Sequence, residues 1–177
     1  MINKVYFNKE ILDKIKLVLE KEGSIQLNNF FDTNIKFSKI KFRKKYLPHS
    51  YSYSYSKFID KEFINYLSDF LFIFLDKKLR NRFLGLFSFG YGDYTLLNDK
   101  FKTKNGYKII IDFTNYWHDD FGGYHSFLRK NKEFLRLKPK NNSISIIKLD
   151  KNTRYFVKYI NNKARKNKIY FIDLFIN

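Results

Sequence analysis

The 177 residues carry 35 Lys and Arg against 17 Asp and Glu, a formal net charge of +18, with 44% hydrophobic and 20% aromatic residues. That length suits one domain with a substantial core, and the apolar content excludes a disordered chain. There is no cysteine, which excludes disulfides, iron–sulfur ligation and cysteine-based zinc sites.

No apolar run is long enough for a membrane-spanning helix. The start, Met1-Ile2-Asn3-Lys4-Val5, lacks the apolar stretch of a signal peptide, so a cytoplasmic protein is expected. Of the basic residues 28 are Lys and seven are Arg, and a single alanine, Ala164, stands against 21 Phe, 19 Ile, 18 Asn and 14 Tyr. AT-rich codons deliver that combination, so much of the charge is read as compositional. A field this positive still attracts nucleic acid and anionic surfaces non-specifically.

In chain order, Asn8 is placed to cap a first helix, with Ile11, Leu12, Ile15, Val18 and Leu19 at helical spacing before Gly23. Ser24 to Phe30 alternates as a half-buried strand does. Asp32 or Thr33 caps a short second helix expected to run to about Lys44, and Pro48 ends that segment. Ser50 to Ser56 alternates Ser and Tyr, which puts Tyr51, Tyr53 and Tyr55 on one face of an expected edge strand. That face either packs or offers a stacking platform for bases. Asp60 to Asp76 is the strongest helix, with Phe63, Leu67, Phe70, Leu71, Phe74 and Leu75 on one side.

Beyond it the period changes. Strands are expected at Arg82–Phe89, Lys108–Phe113, Tyr124–Leu128, Phe134–Leu137, Ser143–Leu149, Arg154–Ile160 and Lys168–Ile176. Helices over about 1–78 followed by seven or eight short strands over about 79–177 predict a single mostly β (α+β) domain. It should be an antiparallel sandwich or jelly roll with the N-terminal helices packed on one sheet.

Small signals follow in a specific order: Gly92-Asp93-Tyr94, then Ile109-Ile110-Ile111, then Trp117 with Gly122-Gly123, then Pro139 to Asn142, then Tyr155-Phe156-Val157 and a last apolar strand. This order resembles the 2-oxoglutarate- and iron(II)-dependent dioxygenases of the prolyl-hydroxylase-like branch, over most of the chain. The resemblance implies a double-stranded β-helix. It also implies an iron triad of His-x-carboxylate and a distal His, and a basic residue on a late strand for the far carboxylate of 2-oxoglutarate.

Carried over, the first histidine falls on Asn98, the carboxylate on Lys100 and the second histidine on Tyr155. All three depart from the pattern. An amide, an ammonium and a phenol are poor company for a ferrous ion. Asp99 reaches the site only through a β-bulge. His118, Asp120 and His125 form a second, local candidate metal set, or are ordinary polar residues. Arg165 falls near the co-substrate position with Lys166 as its competitor, and Phe89 stands where relatives often carry a tyrosine.

The expectation is therefore a degenerate relative with no cofactor and a non-catalytic binding role. Its ligand would be a small anion or dicarboxylate held by Lys100 and Arg165, a protein partner, or non-specific nucleic acid on the basic face. The alternative is a working prolyl-type hydroxylase using Fe(II) and 2-oxoglutarate at a non-standard metal site. A basic nucleic-acid-binding module is the third reading. No other catalytic grouping stands out, since Ser126 and His125 are neighbours in a strand and face opposite sides.

Overall fold

The computed structural model describes residues 2–32, 40–79, 83–96 and 105–177. Helix α1 spans Lys9–Glu22. The Asn8 side chain accepts from the backbone N–H of Glu10 and Ile11, and Gly23, at φ 72°, closes the helix in the left-handed region that glycine adopts without strain. Helix α2 spans Lys61–Leu75, capped by Asp60, which accepts from Phe63 N–H at 3.0 Å. Its buried residues, Ile64, Leu67, Phe70, Leu71 and Phe74, lie at the predicted helical spacing.

Eleven strands occur among the described residues: β1 (Ser24–Asn28), β2 (Arg43–Leu47), β3 (Tyr51–Phe58), β4 (Leu84–Phe89), β5 (Tyr94–Thr95), β6 (Gly106–Asp112), β7 (His125–Arg129), β8 (Lys132–Leu137), β9 (Ser143–Leu149), β10 (Thr153–Val157) and β11 (Ile169–Ile176). The large sheet runs β1-β9-β6-β11-β4-β3-β2, with β5 paired to β3; the small sheet runs β10-β7-β8. All pairs are antiparallel. From β4 onward the chain passes back and forth between two facing sheets, which is the expected jelly roll.

Period two splits the large sheet into two environments. Leu84, Leu86, Ile109, Ile111, Ile144, Ile146, Ile172 and Leu174 face α1 and α2. Phe89, Ile110, Ile147 and Phe171 face inward and meet Phe127, Tyr155 and Val157 of the small sheet. The helices therefore shield one face while the sheets enclose the barrel interior on the other.

Two expectations fail. Residues 33–39 of the predicted second helix lie outside the described residues, but Arg43 and Lys44, its expected end, belong to strand β2. Pairing with β3, from Arg43 opposite Tyr55 to Leu47 opposite Tyr51, outweighs the weak local helix pattern. Consequently β2, not the Ser-Tyr strand, is the sheet edge. The tyrosine face of β3 also has an aromatic neighbour that the sequence reading did not supply: Tyr53 stacks on Phe89 at 5.5 Å and Tyr55 meets Phe87 edge-on at 5.3 Å.

The N-terminal segment is fastened to the barrel by Asn142. Its Oδ1 accepts from Phe31 N–H at 2.7 Å, its Nδ2 donates to Phe31 O at 2.8 Å, and its own carbonyl accepts from Phe30 N–H. Phe30 and Phe31 are buried. Asn142→Ala removes two bonds and strands two backbone groups, an expected loss of about 2–3 kcal/mol in urea unfolding. Asn142→Gly keeps the φ of 53° comfortable and isolates the side-chain share.

Candidate functional site

The motifs that signalled the fold serve as joints in it. Asp93, in the Gly-Asp-Tyr signal, is buried and accepts from Gly90 N–H at 2.9 Å, from the Ser52 hydroxyl and from the Lys44 ammonium. It ties β2, β3 and the end of β4 together. Trp117 Nε1 donates to Gly122 O at 2.9 Å. A Cβ on Gly122 would lie 2.1 Å from Tyr159 O, so only glycine fits that approach.

Asn98, Asp99 and Lys100 lie outside the described residues. The third carried-over position does not. Tyr155, on β10, points into the barrel, is 5% exposed, and shares a 2.7 Å hydrogen bond with His125 Nδ1 from β7. Above its ring, 4.1 Å from the centroid, sits the ammonium of Lys108. Lys108 is 2% exposed and donates to both carboxylate oxygens of Asp173 at 2.6 and 2.8 Å.

Strand geometry explains the meeting. Lys108 on β6 pairs with Phe175 and Asp173 on β11 pairs with Ile110, so Lys108 and Asp173 are diagonal neighbours on the inward face. Phe171 lies on that same face of β11 and packs edge-to-face against His125 at 4.6 Å.

Four polar side chains thus form a chain across the interior: Asp173, Lys108, Tyr155 and His125. Burial, and then the charge of Asp173, hold the Tyr155 phenol well above its ordinary range, so it stays protonated at neutral pH. Burial, and then the charge of Lys108, lower His125 to about 3, so its imidazole is neutral. The other ring nitrogen of His125, Nε2, is buried and has no hydrogen-bond partner among the described residues. Asp112, one turn of the pleat from Ile110, accepts from Thr114 N–H at 2.7 Å. Burial raises it to about 7 against the hydrogen bonds from Thr114 and Lys140.

These residues form no metal set. Among the described residues no three His, Cys, Asp or Glu side chains come together in a way that could hold an ion. The local trio separates: His118 and Asp120 share a surface turn, with 3.9 Å between Nδ1 and Oδ2, while His125 is 1% exposed and turned toward Tyr155 and Phe171. Strand alternation at 125 points the imidazole inward and Ser126 outward to Glu133.

No family model matches the sequence. A stretch of 80 residues, 41% of this chain, is 34% identical to prolyl 3-hydroxylase OGFOD1 of Mus musculus, and 52 residues are 36% identical to that of Xenopus laevis. The matches span 14% and 10% of those relatives. A prolyl hydroxylase from Trichoplax adhaerens, solved with a hypoxia inducible factor oxygen degradation domain peptide fragment, superposes with TM-score 0.70. It does so over 98% of this chain and 91% of its own, at 14% identity. A 2OG-Fe(II) oxygenase family oxidoreductase from Burkholderia pseudomallei superposes with TM-score 0.72 over 96% and 92%, at 8% identity. The fold is that of the prolyl-hydroxylase-type 2-oxoglutarate and iron(II) oxygenases.

The co-substrate candidates Arg165 and Lys166 lie, exposed, in the turn that precedes the last strand. A 3-10 turn at Asn162–Ala164, capped by Asn161, buries Ala164 and swings Arg165 outward at φ 50°; β11 begins only at Ile169. Phe89 is buried in the aromatic stack with Tyr53 and Phe171. Among the described residues the buried cation is Lys108, which belongs to none of the motifs that signal the fold. Its one signal was a lysine directly before Ile109-Ile110-Ile111, at a parity that period two sends inward.

Proposed function

We propose that this chain is a non-catalytic binding protein that keeps the oxygenase scaffold and has given up iron. The observation that carries the reading is the ammonium of Lys108, held over the Tyr155 ring and against Asp173. A ferrous ion beside Tyr155 would sit within a few ångströms of a buried cation. Repulsion at that range, in a site with little water, is worth several kcal/mol. Among the described residues the donors at hand are a protonated phenol, a carboxylate already engaged by Lys108, and one neutral imidazole. A facial triad needs two imidazoles and a free carboxylate, so these residues do not fit the metal.

The same pair argues against a small dicarboxylate inside the barrel. Asp173 already supplies Lys108 with a bidentate carboxylate, and Arg165 faces solvent. A soluble carboxylate would have to displace one built into the fold. The outer surface is then where a partner binds.

The test is ferrous iron and 2-oxoglutarate titrated calorimetrically under anaerobic conditions, followed by assay for succinate. The expected result is no heat of metal binding and no succinate, and no heat from 2-oxoglutarate, succinate or phosphate in chelator. Stoichiometric iron uptake with succinate formation would overturn the proposal in favour of a hydroxylase with a non-standard metal site.

A further inference from the structure

The loop between β10 and β11 concentrates what the barrel does not use. From Lys158 to Lys168, eleven residues carry five cations and no carboxylate. Lys163 lies 3.6 Å from Asp120. Lys158, Arg165, Lys166 and Lys168 are exposed and have no ion-pair partner among the described residues. This loop is held in one shape. Ile160 accepts from Gly92 N–H and donates to Asp93 O, Asn161 N–H donates to Phe121 O, and Lys158 both donates to Tyr124 O and accepts from Gly123 N–H. Ile160 and Ala164 are fully buried beneath it.

Two tyrosines accompany these cations, Tyr159 within the loop and Tyr91 beside it. Tyr91 is 60% exposed and Tyr159 45% exposed. Tyr91 is set between two points of the loop: Gly92 bonds Ile160 on one side, and the Lys168 side chain passes Gly90 on the other. Tyr159 leans on Tyr94, with ring centroids 6.3 Å apart.

Unpaired cations on a rigid backbone, flanked by open aromatic faces, match the chemistry of a phosphodiester chain with unstacked bases. A folded acidic protein would use the charge but has no need of the rings, and a lipid surface would need exposed aliphatic side chains, which the loop lacks. We propose that residues 158–168, with Tyr91, form a binding surface for single-stranded nucleic acid. This surface lies outside the barrel and does not depend on the fate of iron there.

The experiment is fluorescence anisotropy with a labelled 15-nucleotide oligouridylate over a range of salt, in chelator. Wild-type protein is expected to bind it. Arg165→Gln/Lys166→Gln/Lys168→Gln lowers the slope of log K against log salt by about 2, the share of three phosphate contacts on a single strand. Tyr91→Ala/Tyr159→Ala weakens binding at least about tenfold while leaving that slope unchanged. The control removes three cations from α1, Lys9→Gln/Lys14→Gln/Lys21→Gln, and moves neither. No binding at about 100 μM protein overturns the proposal. So does equal affinity for an RNA duplex of the same length, an unaffected tyrosine variant, or a control as damaging as the loop variant. Each of these results leaves the iron titration untouched, so the two proposals fail separately.

Discussion

Asp173→Ala is expected to cost about 3 kcal/mol or more of folding stability, the largest loss from any single polar side chain in this barrel. The reason is asymmetry. Asp173 is 19% exposed while Lys108 is 2% exposed, so removing the carboxylate leaves a buried ammonium deprived of a bidentate partner. The Tyr155 face 4.1 Å away offers roughly 2 kcal/mol at best to a desolvated cation. Lys108→Met costs less, because Asp173 can still reach water. The double variant Lys108→Met/Asp173→Ala should recover most of the loss, since a buried ion pair replaced by apolar groups is close to neutral. Urea unfolding of all four proteins measures this directly. A coupling energy below about 1 kcal/mol would show that the pair is not held as described, and would remove the main support for an iron-free barrel.

The pair also explains which parts of the molecule were legible beforehand. Ile144, Ile146, Leu84 and Leu86 announce their strands by alternation, and α2 announces itself by helical spacing, because burial of one face is a local, periodic constraint. Ser143–Leu149 was placed to the residue. Strand β2 was not, since Arg43-Lys44-Lys45 has no buried face of its own and becomes a strand only by pairing with β3.

The interior site was hidden for a related reason. Lys108 and Asp173 are 65 residues apart and each, read alone, is an ordinary charged residue. Only the diagonal register of β6 and β11 makes them neighbours. Arg165 shows the converse. Its spacing after Tyr155 suggested an inward role, but spacing along a strand has no meaning once a 3-10 turn interrupts it. Tyr155 itself stood out in the sequence, and its ring is what the Lys108 ammonium lies over.

The two buried titrating groups should act on stability with opposite signs and nearly cancel. Asp112 is raised to about 7 in the folded protein from an ordinary value of about 4. Between those values the native state holds a proton that the unfolded chain has lost. Stability contributed by Asp112 is full below pH 4 and declines as pH rises to 7, by about 1.4 kcal/mol per pH unit. His125 is lowered to about 3 from about 6.5. Between those values the unfolded chain holds the extra proton, so its contribution is full above pH 6.5 and is lost at the same rate as pH falls. From pH 5 to 6.5, above the titration of ordinary carboxylates, the slopes offset and the wild-type protein should be nearly flat.

Each variant exposes the slope of the other group. Asp112→Asn, whose Oδ1 can still accept from Thr114 N–H, should become more stable with rising pH across this window. His125→Phe should become less stable with rising pH, whatever its absolute loss from the broken bond to Tyr155. Urea unfolding at pH 5.0, 5.75 and 6.5 reads both. Parallel profiles for the two variants would mean that neither group is held in the protonation state that its burial imposes.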